Sequence, residues 1–306
     1  RASPPAAAGA DRPIASPAVR RRAWEHGIDL HHVPATGTAG RIMQADLDAA
    51  IAARGPRTAA AAAPVRMANA SAERHDEQAI PVIGLRRRIA VQMQEAKRRI
   101  PHFSYVEEID VTEVEALRAA LNEKWGAERG RLTLLPLLMR AMVLAAREFP
   151  QINATFDDEA GIVTRFGAVH LGVAAQTPHG LMVPVVRHAE ALDSWALAAE
   201  VARLAEAARS GRATRDELRG STLTLTSLGA LGGIVSTPVI NRPEVAIVGV
   251  NRIVERPVMR GGAVVARRMM NLSSSFDHRV VDGIDAARFV QALRTMLESP
   301  ALLFVE

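Results

Sequence analysis

From residue 84 onward the apolar positions switch repeatedly between helical and strand spacing. Gly84 to Ile100 sets Leu85, Ile89, Met93 and Ala96 at helical intervals among basic residues. The run His102–Asp110 reads as a strand, and Thr112 followed by Glu115 three residues on predicts a capping box that opens a helix. Leu132–Phe149 is a long, mostly apolar helix ended by Pro150. Short strands are predicted near 152–156, 162–165, 168–175 and 181–186, and Ser194 is the predicted cap of an Ala-rich helix reaching Ser210. Three more strands, 221–227, 245–250 and 269–276, precede a last helix over 284–297. Helices and strands mix without strict alternation, which predicts an α+β domain with a largely mixed sheet.

The first 78 residues read differently. Residues 1–14 and 54–78 are rich in Ala and Pro without apolar periodicity, the pattern of semi-stiff linkers. They bracket a small unit at 15–53. Ser16-Pro17 predicts a helix start and Gly27 its C′ residue, with Val19, Ala23 and Trp24 on one face. A loop with Pro34, Gly37 and Gly40 leads to a second helix near Met43, where Leu47 and Ile51 stand four apart. Two short helices leave little room for a pocket once packed, so partner binding is the expected role. The expected division is linker 1–14, small two-helix domain 15–53, linker 54–78 and large domain 79–306.

Composition narrows the chemistry. A chain of 306 residues with 48% apolar and 23% charged positions can bury a substantial core. It holds no cysteine, which excludes disulfides, thiolate nucleophiles and cysteine zinc sites, and is compatible with a reducing, cytoplasmic location. No metal site is predicted. The net charge is +5, and its placement matters more than its size. Arg20, Arg21, Arg22 and Arg41 concentrate on the small unit, as a solvated basic face or a docking surface. Nothing interleaves aromatics with that charge, so nucleic acid is not expected. The most apolar stretch, Leu132–Ala146, contains Pro136 and Arg140 and is too short to cross a bilayer. The first residue is Arg1, so the chain reads as a fragment or processed product.

Two segments could carry a reaction. In Ser273–Gly283 a predicted strand ends in Asp277-His278-Arg279, with Asp282 four residues after the histidine. A histidine there can be a general base, or equally a salt-bridged structural residue. In Thr222–Gly233, alternating Thr and Leu put hydroxyls on one strand face before a Gly-rich turn. One such hydroxyl could stabilise an oxyanion, or simply face solvent. The spacing is neither a Walker loop nor a dinucleotide fingerprint.

Taken together, these residues resemble dihydrolipoamide acyltransferases, the core enzymes of 2-oxo acid dehydrogenase complexes. DHRVVDG at 277–283 looks like their catalytic signature, shared with chloramphenicol acetyltransferase as a His and an Asp four apart. Leu223–Val250 resembles them throughout, and 15–53 is similar to their peripheral-subunit-binding domain, including the Gly-Thr-x-Gly-Arg turn at 37–41. The resemblance implies a chloramphenicol-acetyltransferase-like fold for 79–306 and transfer of an acyl group between dihydrolipoamide and coenzyme A. By the same likeness His278 is the base, Thr226 the oxyanion donor at a position often serine, and Asp282 a supporting acid. Ser227 is an adjacent alternative hydroxyl, and Asp277 and Arg279 pair to hold the turn. Arg88, Ser227 and Gly229 are implied near the coenzyme A channel. Arg20 and Arg41 are implied to dock dihydrolipoamide dehydrogenase, with a 2-oxo acid decarboxylase subunit as another candidate partner for 15–53. His179 could line the substrate channel. Trimers with His278 and Thr226 from different chains, assembled into a core of 24 or 60 subunits, also follow from the resemblance. The lipoyl group belongs on a domain upstream, since no Asp-Lys-Ala occurs in the chain.

The acyl group is implied to be branched, such as isobutyryl, with acetyl or succinyl as the alternative. A non-catalytic scaffold that only recruits the dehydrogenase would lose the base, which this chain keeps. A free-standing antibiotic acetyltransferase would have no use for 15–53.

Overall fold

A computed structural model of the protein describes residues 13–54, 74–178 and 180–305. They fall into two compact units, one ending at Gln78 and the other beginning at Ala79.

In the first unit, β1 (Ile14–Ala15) pairs in parallel with β2 (Arg41–Ile42), and two helices follow the strands, α1 (Pro17–Glu25) and α2 (Gln44–Ala53). Ser16 Oγ accepts from the Val19 amide at 3.3 Å, and Gly27 at φ 59° takes the left-handed turn that ends α1. The carboxylate of Asp46 holds the Thr36 hydroxyl at 2.6 Å and the Met43 amide at 2.8 Å, closing the loop onto the start of α2. The core is small: Val19, Ala23, Val33, Ile42 and Leu47.

The second unit opens with α3 (Gly84–Arg99), β3 (His102–Asp110), α4 (Thr112–Arg129) and α5 (Leu134–Glu148). Strands β4 (Ala154–Asp157) and β5 (Ile162–Arg165) form one hairpin, and β7 (Ala175–Thr177) and β8 (Gly180–Met182) another. The main sheet takes β6 (Leu171–Val173), β9 (Val185–Val186), β10 (Leu223–Ser227), β11 (Ala246–Val250), β12 (Val254–Arg260) and β13 (Ala263–Asp277), together with β3. Helices α6 (Ser194–Arg209) and α7 (Gly283–Glu298) complete the unit. Pairing of β10 with β6 and β11 is parallel and the rest of this sheet is antiparallel, so it is the mixed sheet expected of an α+β domain.

Strand β13 is the spine. Its first half pairs with β12; its second half pairs with β3 along one edge and β11 along the other. Helices α5 and α7 pack on one face, where Leu137, Met142, Phe276, Phe289 and Leu293 are fully buried. Phe276 meets Phe289 edge-to-face, ring centroids 6.4 Å apart. On the other face Ala96 of α3 and Ile100, just past its end, meet Ile240 and Ile247. No helix among the described residues is long and apolar enough to cross a membrane.

Three local expectations need correction. Thr112 does not cap α4: the N-cap is Val111, and the Thr112 hydroxyl bonds Asp110 at 2.6 Å while Glu115 forks onto Arg118. The cap of α6 is Asp193, one residue before Ser194, which accepts from the amides of Trp195 and Ala196. The last predicted strand begins six residues early, at Ala263, and gains a partner in β12. Gly261 and Gly262, both at positive φ, make the two-residue turn between them.

Beside the β10–β11 pair lies an unusual carboxyl. Glu244 is buried; its Oε1 accepts from Ser221 Oγ at 2.5 Å and Asn241 Nδ2 at 2.8 Å. Its Oε2 and Thr224 Oγ1 are also buried, and neither has a partner among the described residues. Burial pushes the Glu244 carboxyl up to about 7, against the hydrogen bonds that favour its ionised form. Because the folded value lies above the unfolded one, its contribution is complete below about pH 4.5 and is lost as pH rises through about 7. Glu244→Gln keeps a neutral group of the same shape. Wild type should match the variant at about pH 4.5 and fall behind by up to roughly 3 kcal/mol at about pH 8, read from denaturant midpoints. A pH-independent difference would rule out a protonated Glu244.

Candidate active site

The turn that follows β13 carries the predicted base, and it is tightly held. Asp277 is the last strand residue and is 1% exposed. Arg279 Nε and Nη2 fork onto it at 2.9 Å and 2.6 Å, and the Arg279 amide donates to Asp277 Oδ1 at 3.0 Å. The same guanidinium also bonds Asp158, in the turn just after β4, and stacks over the Phe156 ring at 4.5 Å. Arg242 joins Asp158 at 3.1 Å. Burial works against the charge on Asp158, but the Arg279 and Arg242 guanidiniums outweigh it and hold the carboxyl below the usual range. The Asp277 bond raises the Arg279 guanidinium further still, so Arg279 stays charged at any physiological pH.

Between those two residues, His278 is turned outward. Its amide donates to Pro101 O at 3.2 Å, and its ring lies 4.5 Å from the ring of Phe103 on the neighbouring strand. Phe103 in turn packs on Phe276 at 5.5 Å. The imidazole is exposed, and its nitrogens have no partner among the described residues. Asp282, four residues on, is the N-cap residue of α7, but its carboxylate makes no capping bond and is also exposed.

His102 anchors the strand beneath. Its Nδ1 donates to Ile100 O at 2.9 Å and its Nε2 accepts from the Ile240 amide at 3.0 Å. Those partners fix the neutral tautomer, and burial keeps the ring below the usual imidazole value. His102 stands opposite Asp277 in the β3–β13 register, so it joins the segment before β11 to the His278 turn. Phe103, His102 and Asp158 were not predicted as site residues. Only the register brings them there.

Thr226 lies elsewhere. It stands opposite Gly249, which stands opposite Ser273, five residues before His278. At about 3.3 Å per residue and 4.8 Å between strands, Thr226 and His278 of one chain are roughly 20 Å apart, at opposite ends of the sheet. Leu223 and Leu225 face the core, so alternation puts Thr222, Thr224 and Thr226 on the opposite face.

The remaining candidates do not converge either. Ser227 and Gly229 line an apolar cavity of about 380 Å³ with Leu134, Leu138, Val250 and Met270, and Ser227 Oγ accepts from the Gly229 amide at 3.1 Å. Arg88 lines a different cavity, about 490 Å³, beside Arg87, Gln92 and Arg219. On the small unit Arg20 is occupied: its guanidinium holds the carbonyls of Pro13 and Ala15 at 2.6 Å and 3.2 Å. That fixes β1, whose Ile14 pairs with Arg41. His179 lies outside the described residues.

A model of the 2-oxoacid dehydrogenases acyltransferase catalytic domain matches residues 74–305. The chain belongs to this family. An E3 binding domain model matches residues 13–48 of the acyltransferase. It is 68% identical to the lipoamide acyltransferase component of the branched-chain alpha-keto acid dehydrogenase complex of Pseudomonas aeruginosa, over 97% of this chain and 68% of that protein. Its fold is that of the Azotobacter vinelandii dihydrolipoamide acetyltransferase, studied for the catalytic roles of a serine, a histidine and an asparagine. The TM-score is 0.72 at 36% identity, covering 75% of this chain and 95% of that one. The cubic core of a pyruvate dehydrogenase multienzyme complex matches with the same TM-score, 0.72, at 37% identity and the same coverage of 75% and 95%.

The clamp predicts the cost of breaking it. Arg279→Leu strands the Asp277 carboxylate in the interior and should lower stability by about 3–5 kcal/mol in denaturant unfolding. Arg279→Lys should rescue little, since an ammonium cannot fork. A loss under about 1 kcal/mol for Arg279→Leu would show that the pair holds nothing.

Proposed function

We propose that this acyltransferase moves a branched acyl group, such as isobutyryl, between dihydrolipoamide and coenzyme A, with His278 as base and Thr226 as oxyanion donor. The observation that carries the chemistry is the outward-facing imidazole of His278 on a turn clamped by Asp277, Arg279 and Asp158. The observation that favours the branched substrate is the 68% identity to the branched-chain component, against 36% for the acetyltransferase of known structure.

The reaction follows from what those groups can do. The exposed imidazole takes the thiol proton of coenzyme A as its sulfur attacks the acyl-dihydrolipoamide carbonyl. The oxyanion accepts a hydrogen bond from the Thr226 hydroxyl, whose branched side chain leaves few rotamers open. On collapse the carbonyl re-forms and the dihydrolipoamide sulfur leaves, taking the proton back from His278. No covalent enzyme intermediate is needed. Where the Azotobacter enzyme has been studied through serine, histidine and asparagine, this chain offers threonine, histidine and an acid, Asp282. We assign Asp282, exposed and without a capping bond, the supporting role.

Because one chain keeps His278 and Thr226 roughly 20 Å apart, they complete a site only across subunits. We therefore assign the active form to a trimer, built into a larger core of 24 or 60 copies as the likeness to the cubic core supports. Arg88, with Arg87 and Arg219 beside it, suits the phosphates of coenzyme A. The apolar cavity at Ser227 and Gly229 does not. The match of 13–48 to an E3 binding domain supports docking of dihydrolipoamide dehydrogenase by the small unit, through Arg41 and an Arg20 that the Pro13 and Ala15 carbonyls hold in place. The lipoyl group is supplied from outside these residues, and the enzyme works in the cytoplasm.

Exchange between acyl-coenzyme A and free dihydrolipoamide tests this reading. Isobutyryl should transfer fastest, ahead of acetyl and succinyl. His278→Ala should lose about 10³-fold or more, and Thr226→Val about 10²-fold, with Thr226→Ser close to wild type. Preference for acetyl or succinyl would discard the substrate but keep the mechanism. An active His278→Ala enzyme would sink the mechanism.

A further inference from the structure

Helix α1 of the small unit ends in an exposed tryptophan. Trp24 is 84% exposed, although five apolar residues of the same unit are buried. Its indole has no hydrogen-bond or ring partner among the described residues. A side chain of this size is normally covered or used.

Its neighbourhood is cationic. Arg20 lies one turn earlier on the same face of α1, fixed in place by the Pro13 and Ala15 carbonyls, and Arg41 pairs across from Ile14 on the adjoining strand. The unit's acids are largely engaged elsewhere. Asp46 is turned onto Thr36 and Met43, Asp48 is paired with Arg22 at 3.0 Å, and Asp29 bonds the His31 amide at 3.0 Å. Glu25, beside Trp24, is exposed, and no ion pair joins Arg20 or Arg41 to a carboxylate among the described residues. Tryptophan and arginine are the residue types enriched at the centres of protein interfaces.

We propose that Trp24 is the apolar anchor of the surface on which this unit docks dihydrolipoamide dehydrogenase. The partner's patch would be acidic, opposite Arg20 and Arg41, with an apolar depression that receives the indole. This rests on the reading of 13–48 as the dehydrogenase-binding unit. Docking then has two components with different salt behaviour, since ion pairing is screened by salt and burial of an indole is not.

The test titrates the full chain with purified dihydrolipoamide dehydrogenase at about 50 mM and about 500 mM salt. Trp24→Ala should weaken binding by about tenfold or more at both salt concentrations, and Trp24→Phe should keep most of the affinity. Arg41→Ala should weaken binding by about tenfold at low salt and much less at high salt. Trp24→Ala binding within about twofold of the parent, while Arg41→Ala weakens, would overturn the anchor and leave the docking unit intact. A Trp24 effect that vanishes at high salt would overturn it as well. No loss in either variant, or no binding by the parent chain, would overturn the docking reading and the anchor with it.

Discussion

The fork of Arg279 onto the buried carboxylate of Asp277 is the interaction on which the site depends. It closes the turn after β13 and leaves His278, which lies between the two residues, exposed against the Phe103 ring. Tying the same guanidinium to Asp158 and Phe156 fixes that turn to the β4–β5 hairpin. A buried ion pair is weak evidence for stability in itself, because desolvation offsets much of its attraction. What this one provides is orientation. A general base must meet a proton within hydrogen-bond reach, and an imidazole on a loose turn would not hold that geometry.

The clamp also separates the two halves of the chemistry. It points His278 outward at one end of the sheet, while the parallel β10–β11 pair carries Thr226 to the other end. Nothing within one chain can close that gap, because the strands between are paired in fixed register. With His278 as base and Thr226 as oxyanion donor, as proposed, oligomerisation is part of the mechanism rather than packaging. The substrates, both thiols on long arms, can approach such a divided site from opposite sides.

Much of the fold is legible in the residues, and the failures have local causes. The apolar run of α5 is unmistakable because nine of its residues are buried. The β12–β13 hairpin was missed because Arg256, Pro257, Arg260, Arg267 and Arg268 mask a strand lying at the sheet edge, where charge and proline are tolerated. Its Gly261-Gly262 turn was the available signal. The two misplaced caps each lie one residue from the true one. At α6 Asp193 and Ser194 are both good capping residues. At α4 the Thr112 hydroxyl is taken by Asp110, which leaves Val111 as an N-cap without a side-chain bond.

The site was half legible. The Asp-His-Arg turn stands out, but the bare residues leave His278 open between base and structural partner. Only the Asp277–Arg279 pairing shows that the acid and the arginine serve each other and leave the histidine free. His102, Asp158 and Glu244 carry no sequence mark of their roles, which depend on register and burial. Likewise, Arg20 and Arg41 look interchangeable until two backbone carbonyls are seen to occupy the first.

The claim most exposed to a direct test is that each active site takes His278 from one chain and Thr226 from another. His278→Ala and Thr226→Val chains, each inactive alone, would be unfolded together, reassembled at equal ratio and assayed for acyl transfer. Random mixing leaves about a quarter of the subunit interfaces with both groups intact, so activity should return to about a quarter of wild type. Mixed oligomers that stay as inactive as either parent would contradict a shared site and place both groups within one chain.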